Sequence, residues 1–439
     1  MSINVIGAGL AGCEAAWRIA KSGEEVNLFE MKPSKLTPAH KSANFAELVC
    51  SNSLKAERTS SAAGLLKAEM SILGSLLLQC AKECRVPAGG ALAVDRNKFA
   101  ELVTARIRAH PLIKVVEKEV TALPKDEVTI VATGPLTSEG LSGAIVSMCG
   151  GALSFFDAAA PIITAESIDM DHAFFASRYG KGDDAAYINC PLDKAEYEAF
   201  YNELITAQRA EIHDVDVQDP KVYEGCMPVE VMAQRGEDTL RFGPMKPVGL
   251  RDPKTGHRPW AVLQLRMENA EGTLYNMVGF QTNLKFSEQK RVFSLIPALK
   301  NAEFMRYGVM HRNTFIDSPR VLNSDFSLKD NPQIFFAGQI TGVEGYMESS
   351  ATGIMAGINA VNRLKNRPSV TLPCETMIGA LSRYVSVGGQ NEFQPLGANF
   401  GILPDLETHI KDKKARYEAF ANRSIKILKE SCGSYENNS

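Results

Sequence analysis

Three glycines near the start of the chain limit what it can fold into more than any other feature. Gly7-x-Gly9-x-x-Gly12 follows a strand from Asn4 to Ile6 and opens a helix through Trp17 and Ile19; a second strand from Val26 ends on Glu30, 18 residues after Gly12. Gly7 permits the tight turn, Gly9 lets a pyrophosphate approach the backbone, and Gly12 lets the helix pack closely. The turn also presents the backbone of Ala8, Leu10 and Ala11 to a ligand, and the helix N-terminus adds unpaired N–H groups and a positive dipole. Glu30 would accept hydrogen bonds from a ribose. The spacing predicts the βαβ opening of a Rossmann-type α/β domain with a dinucleotide site.

A second glycine-rich segment, AGQITGVEGYMESSATGIMAG, follows an apolar strand from Ile334 to Ala337. Two segments so far apart in sequence can embrace one long cofactor, which favours FAD over a nicotinamide nucleotide. Gly338, Gln339, Thr341, Gly342 and Gly345 would carry backbone toward the flavin and Tyr346 would stack on a ring. A helix starting near Ser349 and ending near Leu364 would aim its positive end at the isoalloxazine. Gly353 and Gly357 share a helix face, which predicts close packing against the sheet.

At 439 residues and 45% hydrophobic content the chain is long enough for two cores. A helix is expected from Ala62 to about Cys84, another from an Asp95 cap to about Ala109, and a buried strand from Val128 to Ala132. From about residue 150 to 266 the segments shorten and prolines recur, with one helical stretch from Asp193 to about Arg209. The expected organisation is an FAD domain over 1–150 and 267–370, an α+β insertion domain over 151–266, and a C-terminal helical segment, 371–439, packed on the FAD domain and ending in a polar tail.

The net charge of -3 and 23% charged residues argue against a globally basic nucleic-acid coat, so any RNA site must be a local patch. Lys246, Arg251, Lys254, His257 and Arg258 cluster beside Trp260 and are the candidate RNA-binding group; Lys285, Lys290 and Arg291 form a second cluster. The nine cysteines are scattered, and neither they nor the seven histidines show zinc-ligand spacing, so no metal is expected. The start of the chain has no secretory pattern and no apolar run reaches membrane length, which predicts a cytoplasmic protein with no membrane role.

Four further segments carry a resemblance. FAELVCSNSLKAE with Cys50, YEGCMPVEVMAQRG with Cys226, LRFGPMKPVGL, and NMVGFQTNLKFSEQKRVFSLIPALKNAEFMRYGVMHRNTF resemble the folate- and FAD-dependent tRNA (uracil-5-)-methyltransferase family over nearly the full length. The glycine motifs and the MRYGVMHRNTF segment also resemble the related flavoproteins that modify wobble uridine; the cysteine segments separate the two. The resemblance implies a glutathione-reductase-like FAD domain interrupted by an insertion. It implies 5-methyluridine formation in the T loop of tRNA, with 5,10-methylenetetrahydrofolate as one-carbon donor and NAD(P)H as reductant. A paralogue acting on ribosomal RNA shares the motifs.

Carbon-5 of uracil is a poor nucleophile until a thiolate adds at carbon-6, and a base must then remove the carbon-5 proton so that the thiolate can leave. The family resemblance implies Cys226 as nucleophile and Cys50 as proton acceptor, with the reverse assignment open. It also implies that reduced FAD carries the folate methylene to uracil and supplies the electrons that make it a methyl. Ser51 and Ser53 are expected to cap a helix through Leu54 and Lys55, lowering the Cys50 thiol pKa. Cys80 and Cys84, four apart on an apolar helix, are expected to be inert. His311 and Arg312 could lie near the cofactor or serve the structure. The rival chemistry is a flavin thiol oxidoreductase cycling Cys50 and Cys226 through a disulfide, although the C-x-x-C or C-x4-C pairs usual in such enzymes are absent.

Overall fold

Ile3–Ile6 forms the middle of a five-stranded parallel sheet, between Thr129–Val131 and Val26–Glu30, with Ile334–Phe336 and Ile113–Glu117 outermost. The computed structural model describes the chain apart from residues 1, 38, 125, 152, 181–185, 211–226, 389–392 and 437–439. The middle strands are apolar runs because helices cover both faces of such a sheet. Leu10–Lys21 returns from the first strand, and Tyr346–Leu364 lies directly on it. A Cβ on Gly353 would stand 2.2 Å from the Ala11 carbonyl oxygen, and one on Gly357 3.0 Å from that of Ala15. These glycines therefore serve helix-to-helix contact rather than the expected contact with the sheet. Their close approach brings the two glycine-rich segments to one end of the sheet, at the carboxyl ends of its strands, where ligands of such folds bind.

The expected long helix from Ala62 to Cys84 is two helices, Ala62–Ile72 and Leu76–Glu83, bent by 111°. Gly74 adopts φ +78°, and Ser75 caps the second helix through the Leu78 N–H at 3.1 Å. The buried Glu14 carboxylate takes the Leu76 and Leu77 N–H groups at 3.1 and 3.0 Å, so a residue of the first helix locks the break. Asp95 caps Arg96–Ala109 as expected, accepting from Asn97 and Lys98 at 3.1 Å each.

A second core forms on a six-stranded antiparallel sheet ordered Phe174–Phe175, Tyr187–Leu192, Ala261–Met267, Leu274–Met277, Ile162–Thr164, Phe304–Arg306. Lys194–Thr206, begun by an Asp193–Glu196 capping box, supplies Tyr197, Phe200 and Leu204 to it, and Phe286–Phe293 adds Val292 and Phe293. The boundary expected at residue 266 falls inside this sheet. The chain turns back from Ala261–Met267 into Leu274–Met277 by a short antiparallel connection, and that pairing holds the following residues in the second core through Ala302. A two-stranded ribbon, Leu153–Ala158 with Met310–Phe315, runs out to this region and back. The C-terminal helices Met377–Val387 and Lys413–Glu436 place Met377, Leu381, Phe420 and Leu428 in the first core.

Candidate functional site

A cleft with about 1120 Å³ of open space lies where the first glycine turn meets the second. Of the residues expected to hold a dinucleotide, Gly7, Gly9, Leu10, Ala11, Glu30, Gly338, Gln339, Tyr346 and Ser349 line it. The first helix has no side-chain cap and no acid in its first turn, so its N–H groups and dipole remain for a ligand. At Gly9 a Cβ would meet nothing within 4 Å, whereas at Gly12 it would stand 1.8 Å from the Gly7 carbonyl oxygen. Gly9 is thus open to the cleft and Gly12 closes the turn. Glu30 accepts from the Ala8 N–H at 2.8 Å and the Lys32 N–H at 3.0 Å, which fixes its carboxylate at the rim. Gly338 is held by its N–H donating to Thr352 Oγ1 at 2.7 Å.

Thr341, Gly342 and Gly345 do not line this cleft. Thr341 is buried, its hydroxyl donating to the Gly338 carbonyl at 2.8 Å. A Cβ on Gly342 would strike the Phe393 ring at 2.5 Å, and one on Gly345 the Glu348 carboxylate at 2.1 Å. Their left-handed backbones shape the loop that delivers Tyr346 instead.

Tyr346 joins the cleft to Cys50. The segment after Cys50 is a strand, Ser53–Ala56, paired with Ala91–Val94, and not the expected helix; Lys55 sits at φ +64°. The partner of the Cys50 segment is Tyr346. Its hydroxyl accepts from the Cys50 N–H at 2.9 Å and the Ser51 N–H at 3.2 Å, and lies 2.9 Å from the Cys50 sulfur. Burial and the neighbouring Cys50 push the Tyr346 hydroxyl well above its ordinary pKa, so it remains protonated and can donate to the sulfur.

Cations gather at the same place from distant parts of the chain. Arg96 Nε pairs with Glu268 at 2.6 Å, and Arg266 donates to Asn52 Oδ1 and Ser51 Oγ, each at 2.9 Å. Asn52 is fully buried and donates to the Val94 and Met267 carbonyls at 3.0 and 2.9 Å, tying the Cys50 segment to the second sheet. Sequence reasoning missed Arg96, Arg266, Glu268 and Arg306, because none lies near a motif cysteine in the chain and only tertiary structure assembles them.

Cys226 lies outside the described residues; Met227 and Pro228, which follow it, lead into the helix Val229–Ala233 on the second core. His311 and Arg312 are on the ribbon strand, and their side chains are likewise outside the description. Arg251, Lys254 and Arg258 are exposed together on one turn of the second domain, with Lys246 half-buried beside them. Trp260 is covered by the Arg241 guanidinium at 3.7 Å. In the second basic cluster, Arg291 pairs with Glu203 and Glu288 and Lys285 donates to Gln208, leaving Lys290 exposed. Burial pushes the Cys80 thiol up to about 12 and raises Cys84 as well, as fits inert thiols. Among the described residues no cluster of metal-binding side chains occurs, and no single helix is long and apolar enough to cross a membrane.

A parallel sheet whose carboxyl ends meet two glycine segments round one cleft, with a second sheet inserted in the chain, defines a Rossmann-type α/β protein of the FAD-binding class. Aquifex aeolicus GidA, solved in two crystal forms, has the same fold: TM-scores of 0.71 and 0.70 over 98% of this chain, with 73% and 78% of the other covered, at 16% identity. Residues 2–368 match the family model described as Glucose inhibited division protein A. Proteins named methylenetetrahydrofolate–tRNA-(uracil-5-)-methyltransferase TrmFO are similar along the whole chain. That of Acetivibrio thermocellus is 59% identical over 434 residues, 99% of each chain, and that of Lactiplantibacillus plantarum 55% over 428, 97% and 96%. The chain belongs to the Glucose inhibited division protein A family, among the enzymes named methylenetetrahydrofolate–tRNA-(uracil-5-)-methyltransferase.

Proposed function

We propose that this protein methylates carbon-5 of a uridine in the T loop of tRNA, using 5,10-methylenetetrahydrofolate, FAD and NAD(P)H. The observation that carries the reading is Tyr346, one side chain that both lines the dinucleotide cleft and holds the Cys50 thiol. The names of the relatives, covering nearly all of the chain, support the substrate pair. The open Gly9 backbone, the uncapped first helix and Glu30 suit the pyrophosphate and ribose of FAD. Gly338, Gln339 and Ser349 suit the flavin end. Bound there, FAD supplies one-carbon transfer from the folate and the electrons that complete the methyl group, and NAD(P)H restores them.

Cys226 adds as thiolate to carbon-6, which makes carbon-5 nucleophilic. After carbon-5 has taken up the one-carbon unit, Cys50 removes its proton, and the electrons returning to the ring expel the Cys226 thiolate. Tyr346 supports Cys50 as an acceptor by donating to its sulfur. Arg251, Lys254 and Arg258, with Lys246, contact tRNA phosphates through the exposed turn of the second domain.

The test is to incubate the purified protein with methylenetetrahydrofolate, NADPH and unmodified tRNA or ribosomal RNA transcripts, and to read 5-methyluridine by nucleoside mass spectrometry. The expected product appears in tRNA and is lost in Cys226→Ala and Cys50→Ala. Product in ribosomal RNA alone would replace the substrate. Neither product, together with a Cys50–Cys226 disulfide forming in turnover, would replace the reading by a thiol oxidoreductase.

A further inference from the structure

The Cys50 end of the cleft holds more positive charge than the described residues neutralise. Arg266 is buried and satisfied only by the neutral Asn52 and Ser51. Arg96 spends its Nε on Glu268 and reaches the Val49 carbonyl with Nη1 at 3.4 Å, but its Nη2 is buried without a hydrogen-bond partner. Arg306 ends the edge strand Phe304–Arg306, is half-buried, and among the described residues makes neither a hydrogen bond nor an ion pair. Its field and that of Arg96 act on Glu268, Tyr346 and Cys50, and Arg266 feels Glu268, Arg96 and Cys50 as well. Burial and the like charge of Arg96 disfavour the Arg306 cation. Arginine does not escape by losing its proton, so the cost of an unpaired, partly desolvated guanidinium stands until an anion arrives.

We propose that Arg306 and the unpartnered Nη2 of Arg96 form a receptor for one phosphodiester of the RNA, the one that travels with the target uridine when that nucleotide leaves its loop for the cleft. The proposal rests on the RNA-methylation reading and adds a site that the exposed basic turn does not supply. Arg251, Lys254 and Arg258 are exposed cations suited to the outside of a folded RNA, whereas Arg96 reaches the carbonyl of Val49, next to Cys50, and the fields of Arg96 and Arg306 act on that cysteine. A base reaches a pocket in an enzyme by swinging out on its backbone, and that movement carries a phosphate inward, at a desolvation cost that a pair of guanidinium forks offsets through charge-assisted hydrogen bonds. The phosphate would fix the nucleotide's position relative to Cys50. Arg96 and Arg306 are thus positioning residues, and binding should report them without turnover.

Binding of a T-arm RNA to the FAD-loaded protein is measured by filter retention across a potassium chloride series for wild type, Arg306→Gln and Arg306→Lys. Arg306→Gln should lose roughly tenfold in affinity at low salt, with the logarithmic salt slope falling by about 1, and Arg306→Lys should recover the slope. The same RNA with a neutral methylphosphonate beside the target uridine should bind wild type as weakly as the native RNA binds Arg306→Gln, with no further loss on combining the two. Unchanged FAD content and melting temperature in both variants exclude a folding defect. An unchanged slope and affinity in Arg306→Gln would overturn the proposal. So would weaker methylenetetrahydrofolate binding with RNA binding intact, which would assign the guanidiniums to the folate carboxylates. If wild type binds with the expected slope yet forms no methyluridine, the activity reading fails while the phosphate site stands.

Discussion

Gly9 and Gly12 stand three residues apart in one turn, and the same added methyl should act on them in opposite ways. Gly9 has φ -73° and empty space where a Cβ would go, so Gly9→Ala should fold with its melting temperature nearly unchanged but retain little flavin, read by absorbance of the purified protein. In Gly12→Ala the Cβ would meet the Gly7 carbonyl oxygen at 1.8 Å, forcing the turn apart; a loss of about 3 kcal/mol in urea unfolding is expected. Tyr346→Phe removes the acceptor of two backbone N–H groups and the donor to Cys50. It should cost about 1–3 kcal/mol of stability. Methyl transfer should slow roughly a hundredfold if Cys50 acts as the base, and a variant with the wild-type rate would remove Tyr346 from the mechanism. The sequence led to the expectation that these glycines, Glu30 and Tyr346 serve one cofactor, because each sits in a local pattern, and Gly7, Gly9, Glu30 and Tyr346 do line one cleft. The hydroxyl-to-sulfur contact was not legible, since Cys50 and Tyr346 are 296 positions apart.

At the scale of elements, two helices decide whether the cleft exists. Leu10–Lys21 and Tyr346–Leu364 each carry one wall of it, and Gly353 lets them touch. Gly353→Ala would put a Cβ 2.2 Å from the Ala11 oxygen, and separating the helices should lower the melting temperature and release flavin together, unlike Gly9→Ala. The bend between Ala62–Ile72 and Leu76–Glu83 illustrates the limit of reading periodicity. The apolar pattern continues through it, so a single helix is the natural expectation, and Gly74 followed by Ser75 is the local stop-and-cap signal against it. The decisive contribution comes from Glu14, whose carboxylate binds the new helix N-terminus. The strand after Cys50 was misread for a similar reason: Ser51 and Ser53 are good caps, but pairing with Ala91–Val94 offers that backbone partners that a helix cannot.

For the whole molecule, two buried carboxylates couple folding to pH. Glu14 joins the first helix to the Leu76–Glu83 helix, and Glu69 takes the Met377 and Ile378 N–H groups at 2.7 and 2.8 Å and the Ser424 hydroxyl, joining the C-terminal helices to the first core. Burial, only partly opposed by these hydrogen bonds, pushes both up to about 7 from an ordinary value near 4.5. The folded state therefore binds more protons than the unfolded one between those pH values. The stabilisation is fully present below about pH 4.5 and is lost as pH rises through 7, by about 3 kcal/mol for each group. The urea midpoint should fall between pH 5 and pH 8, and Glu69→Gln should flatten that fall; a midpoint that rises over this range would contradict the assignment. By itself the sequence determined the Rossmann opening, the second glycine segment and the motif cysteines, because turn geometry, helix caps and pleat periodicity are local and are written within a few residues. Only the tertiary structure decided where the second core ends, which helices bend, and that Arg96 and Arg266 meet the backbone and side chains on either side of Cys50. Strand pairing, buried carboxylates and the pooling of charge each depend on residues that only the folded chain brings together.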